Sequence, residues 1–147
     1  MLAIPLYLVA IMDWHSRFIL SWRLSNSLLL DFCVDCLENS LARWTKPAIF
    51  NSDQGSQFTS SLFVQILENQ GISISRDGKG RALDNVFIER FWRSLKYECI
   101  YLHSFADGKE LQKGLEKYVY FYNFERKHQA LDYLTPAQIY LENKAQL

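Results

Sequence analysis

Two carboxylates stand where an active site could be built. Asp53 follows the apolar run Ala48-Ile49-Phe50, just past the C-terminal end of a predicted strand, where open α/β sheets place their sites. Taken alone, its plainer reading is a turn former beside Gly55. Glu89 falls one turn into a predicted helix that Asp84 would cap. It shares a polar stripe with Arg93 and Lys96, four and seven residues on. Taken alone, that stripe is an ordinary solvated face with an i,i+4 Glu–Arg pair, worth only a few tenths of a kcal/mol. A third constellation, Cys33-x2-Cys36 with Cys99-x3-His103, has the spacing of zinc ligands. Cys33 and Cys36, however, sit inside an amphipathic helical pattern, where cysteine acts as a small buried hydrophobe, and no glycine-rich knuckle surrounds either pair.

Composition bounds what these residues can serve. The chain of 147 residues is 49% hydrophobic and has no low-complexity stretch, which implies one packed domain and excludes global disorder. No apolar run reaches the ~18 residues of a membrane span, and the first residues lack the basic region and cleavage site of a leader. A soluble cytoplasmic protein is expected, with no membrane partner. Three cysteines, an odd number, argue against a disulfide framework. Formal net charge is zero, but its distribution is uneven. Residues 1–70 carry four Lys/Arg against six Asp/Glu, residues 71–100 six against four, and residues 101–147 six of each. The positive field is therefore local, around segment 76–96.

The elements that must position the carboxylates follow from periodicity. Residues 6–12 read as a buried strand, 13–16 as a turn and 17–24 as a second strand, together a hairpin. Leu29, Cys33, Leu37, Leu41 and Trp44 recur at helical spacing until Lys46-Pro47 breaks the pattern. A strand at 48–50 precedes Asp53, a helix is expected from about Thr59 to Asn69 with Gly71 as its stop, and Ile72–Ser75 forms another strand. RDGKGRAL, residues 76–83, reads as a loop. The helix carrying Glu89 is expected to run through about Tyr97. Asp107 with Glu110, and Thr135 with Gln138, mark the starts of two more helices as capping boxes. The order implies an α/β layered domain around one central sheet.

Read together, these segments resemble a known family. NSDQGSQF around Asp53 and ALDNVFIERFW around Glu89 are similar to the second and third acidic motifs of the DDE transposase and retroviral-integrase catalytic cores, and within them the OrfB proteins of bacterial insertion sequences. Thirty-five residues, positions 54 to 88, separate the two carboxylates, the gap that marks the family. YLVAIMDWHSRFILSW, GKGRALDN and YNFERKHQAL…TPAQIY match it too, so the resemblance spans nearly the whole chain.

The resemblance implies an RNase H-like fold, a central mixed sheet flanked by helices, with a core over about 1–104 and a helical extension over about 105–147. It implies Mg²⁺ (or Mn²⁺)-dependent DNA strand cleavage and transfer, with Asp53 and Glu89 as catalytic metal ligands and transposon ends and target DNA as partners. Two hard cations about 3.5–4 Å apart suit an in-line phosphoryl displacement. Arg93 and Lys96 stand where integrases place DNA-facing basic groups, and Lys79 and Arg81 in the glycine loop are candidates for the same contacts. The family's first Asp belongs on a strand preceding the segment matched by Tyr7, which places it before Met1. Asp13 is expected to be a hairpin residue rather than its substitute. Asn51 and Lys127 stand where relatives often have His and Pro. The first strand and one carboxylate are thus expected to be missing, the two-ion site incomplete, and the chain inactive alone. The alternative function is a non-catalytic DNA-binding or oligomerising remnant, acting as a homo-oligomer or on a full-length transposase, with the aromatic stretch Tyr118–Phe124 and the exposed strand edge as contact surfaces. An RNase H-like nuclease acting on RNA fits the late glutamate helix and the C-terminal stretch less well.

Overall fold

The computed structural model describes residues 6–53, 55–76 and 86–145. Strands β1 (Tyr7–Met12) and β2 (Ile19–Ser25) lead into α1 (Leu30–Arg43), β3 (Ile49–Ser52), α2 (Ser56–Thr59), α3 (Ser61–Asn69) and β4 (Ser73–Arg76). Next come α4 (Val86–Leu95), a π-helical turn (Lys96–Ile100), α5 (Gly108–Phe124), a 3-10 turn (Gln129–Leu131) and α6 (Pro136–Ala145). β1 and β2 pair in one two-stranded sheet and β3 and β4 in another. The link between β1 and β2 is too short for a crossover, so that pair is antiparallel, whereas β3 and β4 run parallel around α2 and α3. Among the described residues the strands thus form two small sheets, one antiparallel and one parallel, where one central sheet was expected.

The residues gather into two compact units, one drawn from Met1–Val9 with Ser21–Phe87 and the other from Ala10–Leu20 with Ile88–Leu147. In the first, the apolar faces of α1 and α3 supply the core: Cys36, Leu37, Phe63, Leu67 and Ile72 are all buried. The buried face of α1 is Cys33, Val34, Cys36, Leu37 and Ser40, while Leu29, expected on that stripe, precedes the helix and is exposed. Ser21 Oγ donates to the Cys36 carbonyl at 2.7 Å, and burial pushes both thiols, Cys33 and Cys36, up to about 11. They behave as core side chains. Ser60 caps α3 by accepting from the Phe63 amide. Gly71, at φ +71°, ends it: its amide and that of Ile72 reach back to Glu68 and Leu67 in a Schellman arrangement. Direction then reverses directly into β4, whose register pairs Asn51 with Ser75 and Ser52 with Arg76.

In the second unit the hairpin turn is built on Asp13. Its Oδ2 accepts from the Ser16 amide (2.9 Å) and the Ser16 hydroxyl (2.6 Å), and Arg17 takes φ +67°. Phe18, Phe91, Leu95, Cys99, Leu115 and Tyr122 form the core. Both expected capping boxes are present. Asp107 Oδ1 accepts from the Glu110 amide while Glu110 Oε2 accepts from the amide of Ala106, one residue before the cap; Thr135 and Gln138 bond reciprocally, each side chain accepting from the other's amide. Asp84, the expected cap of α4, lies outside the described residues. The π turn after Leu95 was not expected. The buried positions Phe91, Leu95 and Cys99 recur every four residues, a spacing that a continuous α-helix satisfies equally well.

Candidate active site

Asp53 follows the last residue of β3, at the C-terminal end of the parallel pair. Its Oδ1 accepts the Gly55 amide at 2.8 Å, an Asx turn that aims the carboxylate and opens α2. The fit is close: a Cβ added to Gly55 would lie 2.9 Å from that same oxygen. Asn51, on β3, donates to Ser75 Oγ at 3.2 Å and ties the strand end to β4. Turn forming and solvent access thus coexist at Asp53, whose side chain is exposed.

Glu89 is the acidic residue of the first turn of α4, where the positive end of the helix dipole favours a negative charge. It too is exposed. The Glu89–Arg93 ion pair of the plainer reading does not form: Arg93 lies over the Tyr97 ring instead, its guanidinium carbon 5.8 Å from the centroid. Neither Asp53 nor Glu89 has an ion-pair partner among the described residues. Arg93 and Lys96 are exposed on the same helix as Glu89. Lys79 and Arg81 lie outside the described residues. Asp53 belongs to the first unit and Glu89 to the second. As donors both suit a hard divalent cation, since each offers carboxylate oxygens open to solvent. Asp13 stands apart as the hairpin residue, its Oδ2 accepting from the Ser16 amide and hydroxyl.

Sequence reasoning missed a polar network beyond the end of α4. Glu98, in the π turn, receives Arg126 Nε at 2.8 Å and Nη2 at 2.7 Å, a bidentate pair. Tyr118 donates its hydroxyl to Glu98 Oε1 at 3.0 Å. Arg126 also lies over the Tyr122 ring and 3.3 Å from the His128 ring nitrogens, and His128 packs edge-on to Tyr122. The hydrogen bonds from Arg126 hold Glu98 below the usual carboxylate range, and those to Glu98 raise Arg126. Burial, then the neighbouring Arg126 charge, lowers His128 to about 4, and burial raises Tyr118 and pushes Tyr122 up to about 12. Of this network, Tyr122, Arg126 and His128 all fall in the stretch YNFERKHQAL, but the glutamate they serve lies 28 positions before Arg126.

Of the aromatic stretch Tyr118–Phe124, Tyr118 and Tyr122 are buried, whereas Tyr120, Phe121 and Phe124 are exposed. Tyr120 and Phe124 stack on each other at 4.9 Å.

Residues 2–82 and residues 70–136 each match a family model described as integrase core domain. The transposase for insertion sequence element IS904 of Lactococcus lactis is 34% identical over 134 residues, which cover 89% of this chain and 53% of that protein. The transposase InsF for insertion sequence IS3A of Escherichia coli is 31% identical over 142 residues, 95% of this chain and 49% of its own. The chain spans about half the length of the curated relatives it matches. Among solved structures, the catalytic core domain of BIV integrase superposes with a TM-score of 0.77 at 19% identity, covering 95% of this chain and 88% of that one. The HTLV-2 integrase catalytic core domain in complex with magnesium gives 0.60 at 18% identity, over 90% and 82%. The fold is accordingly RNase H-like, as the sequence resemblance implied.

Proposed function

The chain belongs to the integrase core domain family, and from that premise we propose that it is the core of a DNA transposase, acting on transposon ends and target DNA. The observation that carries this reading is a pair of exposed, un-neutralised carboxylates on family-matching segments. Asp53 is aimed by the Gly55 amide at a strand end, and Glu89 is released by Arg93 to face solvent on α4.

Asp53 and Glu89 would hold Mg²⁺ or Mn²⁺ through their carboxylate oxygens. The bound ions would supply electrostatic stabilisation of the attacking and leaving oxygens in an in-line phosphoryl displacement. The chain's own residues do the positioning. The Asx turn fixes the direction of Asp53, the first turn of α4 carries Glu89, and Arg93 and Lys96 contact DNA phosphates, with Lys79 and Arg81 in the same role. The described residues do not bring three His, Cys, Asp or Glu side chains into one metal-holding group. Two carboxylates hold two cations weakly, so the 147 residues alone are expected to bind DNA but not to join strands. A strand-transfer assay with Mg²⁺ or Mn²⁺ on a pre-cleaved end substrate tests both halves. Joining by these residues alone overturns the inactivity, and failure to bind DNA overturns the reading itself.

The exposed rings of Tyr120, Phe121 and Phe124 favour a second reading, a non-catalytic module that self-associates or docks on an intact transposase. Sedimentation of the chain with Tyr120→Ser and Phe124→Ser separates the two. Loss of an oligomer with DNA binding intact supports the second reading, and an unchanged mass removes it.

A further inference from the structure

Beyond Leu95, α4 widens into the π turn Lys96–Ile100, and this changes what its solvent face presents. An α-helix turns about 100° per residue, so side chains four apart drift by about 40° at each step. The wider i→i+5 turn rotates them back the other way. The exposed side chains therefore continue as one stripe. The Arg93 guanidinium lies 5.8 Å from the Tyr97 ring, and the Tyr97 and Tyr101 rings lie 5.4 Å apart at 84°. Tyr97 is 62% and Tyr101 64% exposed, so neither ring serves the core. The charges accompanying them past Glu89 are cationic, Arg90, Arg93 and Lys96, because Glu98 is engaged by Arg126.

We propose that Tyr97 and Tyr101 form a stacking platform for unpaired bases of a DNA strand whose phosphates Arg93 and Lys96 hold. The proposal rests on the reading above that DNA runs along α4, and adds what the strand must look like there. Duplex DNA shows a protein its base edges and phosphates but hides the base faces. Exposed ring faces can stack on DNA bases only where those bases are unstacked, at an overhang or a frayed end. The edge-to-face contact covers a face of one ring and Arg93 covers a face of Tyr97, so bases stack on the faces that remain open to solvent. The platform lies on the π turn that continues α4, the helix of Glu89, and on the residue after it, so an unpaired segment stacked there would lead toward that carboxylate.

The test uses the full chain without divalent metal and two DNA probes: a blunt duplex, and the same duplex with a short single-stranded overhang carrying 2-aminopurine. The overhang probe is expected to bind more tightly and to be quenched. Tyr97→Leu with Tyr101→Leu should abolish the quench and weaken overhang binding by about tenfold or more, leaving blunt-duplex binding unchanged. Tyr97→Phe with Tyr101→Phe should retain both. Equal binding of the two probes, or a quench that survives the leucine changes, overturns the platform while leaving DNA binding along α4 in place. Absence of binding to either probe overturns both. A change of oligomeric mass in the leucine variant with the quench unchanged would assign the stripe to self-association and overturn the proposal.

Discussion

The carboxamide of Asn123 closes a two-bond ring on the backbone of Ile19: Oδ1 accepts its amide at 2.8 Å and Nδ2 donates to its carbonyl at 3.0 Å. A side chain of α5 thereby takes the place of a neighbouring strand at the first residue of β2. Both Ile19 and Asn123 are buried, so no solvent competes for these groups. Asn123→Ala would strand a buried donor and a buried acceptor, and is expected to destabilise the chain by about 2–4 kcal/mol. Asn123→Asp restores the acceptor only and should not rescue. Urea denaturation of the three proteins checks this; a loss below about 1 kcal/mol for Asn123→Ala would falsify the assignment.

The Glu98–Arg126 pair is half-buried, with side chains 36% and 26% exposed, so its worth lies between a surface pair and a fully buried one. Arg126→Ala leaves Glu98 with Tyr118 as its remaining hydrogen-bond donor and is expected to cost about 1–3 kcal/mol. A double-mutant cycle with Glu98→Gln should return a coupling of about 1–2 kcal/mol. Additive single effects would show that the bidentate geometry contributes nothing to stability.

His128 makes stability depend on pH. Burial and the charges of Arg126 and Arg17 lower it from 6.5 to about 4, opposed only by Glu98. A histidine with a lowered folded value takes up its proton first in the unfolded chain. Stability is therefore full above about pH 6.5 and falls as pH drops toward 4. Between pH 7 and pH 5 the loss from this group should be about 2 kcal/mol. Glu98 acts in a lower window. Its folded value is depressed, so its contribution is present above the ordinary carboxylate value and lost as pH falls through the folded one. His128→Asn should flatten the pH 7 to 5 slope and leave the steeper acid limb. An unchanged slope in that variant would place the titrating group elsewhere.

Local signals carried much of this architecture. Asp107 with Glu110, Thr135 with Gln138, and Gly71 after Asn69 mark helix ends through contacts spanning three to five residues, and the structure uses each of them. Long-range polar pairs were not legible, because nothing near Asn123 points to a backbone 104 positions away, nor anything near Glu98 to Arg126. The Glu89–Arg93 pair shows a different limit. An exposed i,i+4 ion pair and a guanidinium over an exposed ring are both worth only a fraction of a kcal/mol to about one, so spacing alone does not decide between them. The structure turns Arg93 to Tyr97. The positions of Asp53 and Glu89 were legible through their motifs, and the turn that holds Asp53 through the Gly55 beside it; the turning of Arg93 away from Glu89 was not.

Gly55 offers the sharpest test of Asp53 as a metal ligand. The backbone at Gly55, φ −59° and ψ 148°, is open to any residue, so alanine introduces no backbone strain. Its Cβ would nevertheless meet Asp53 Oδ1 at 2.9 Å and push the carboxylate out of the Asx turn. Gly55→Ala is thus expected to change stability by less than about 1 kcal/mol while disturbing ligation. Titrating Mn²⁺ into labelled protein should broaden the amide signals around Asp53 and Gly55, and Asp53→Asn should abolish that broadening. Gly55→Ala should raise the Mn²⁺ concentration needed several-fold. Broadening that is indifferent to both changes would remove Asp53 from the metal site and leave it a turn former only.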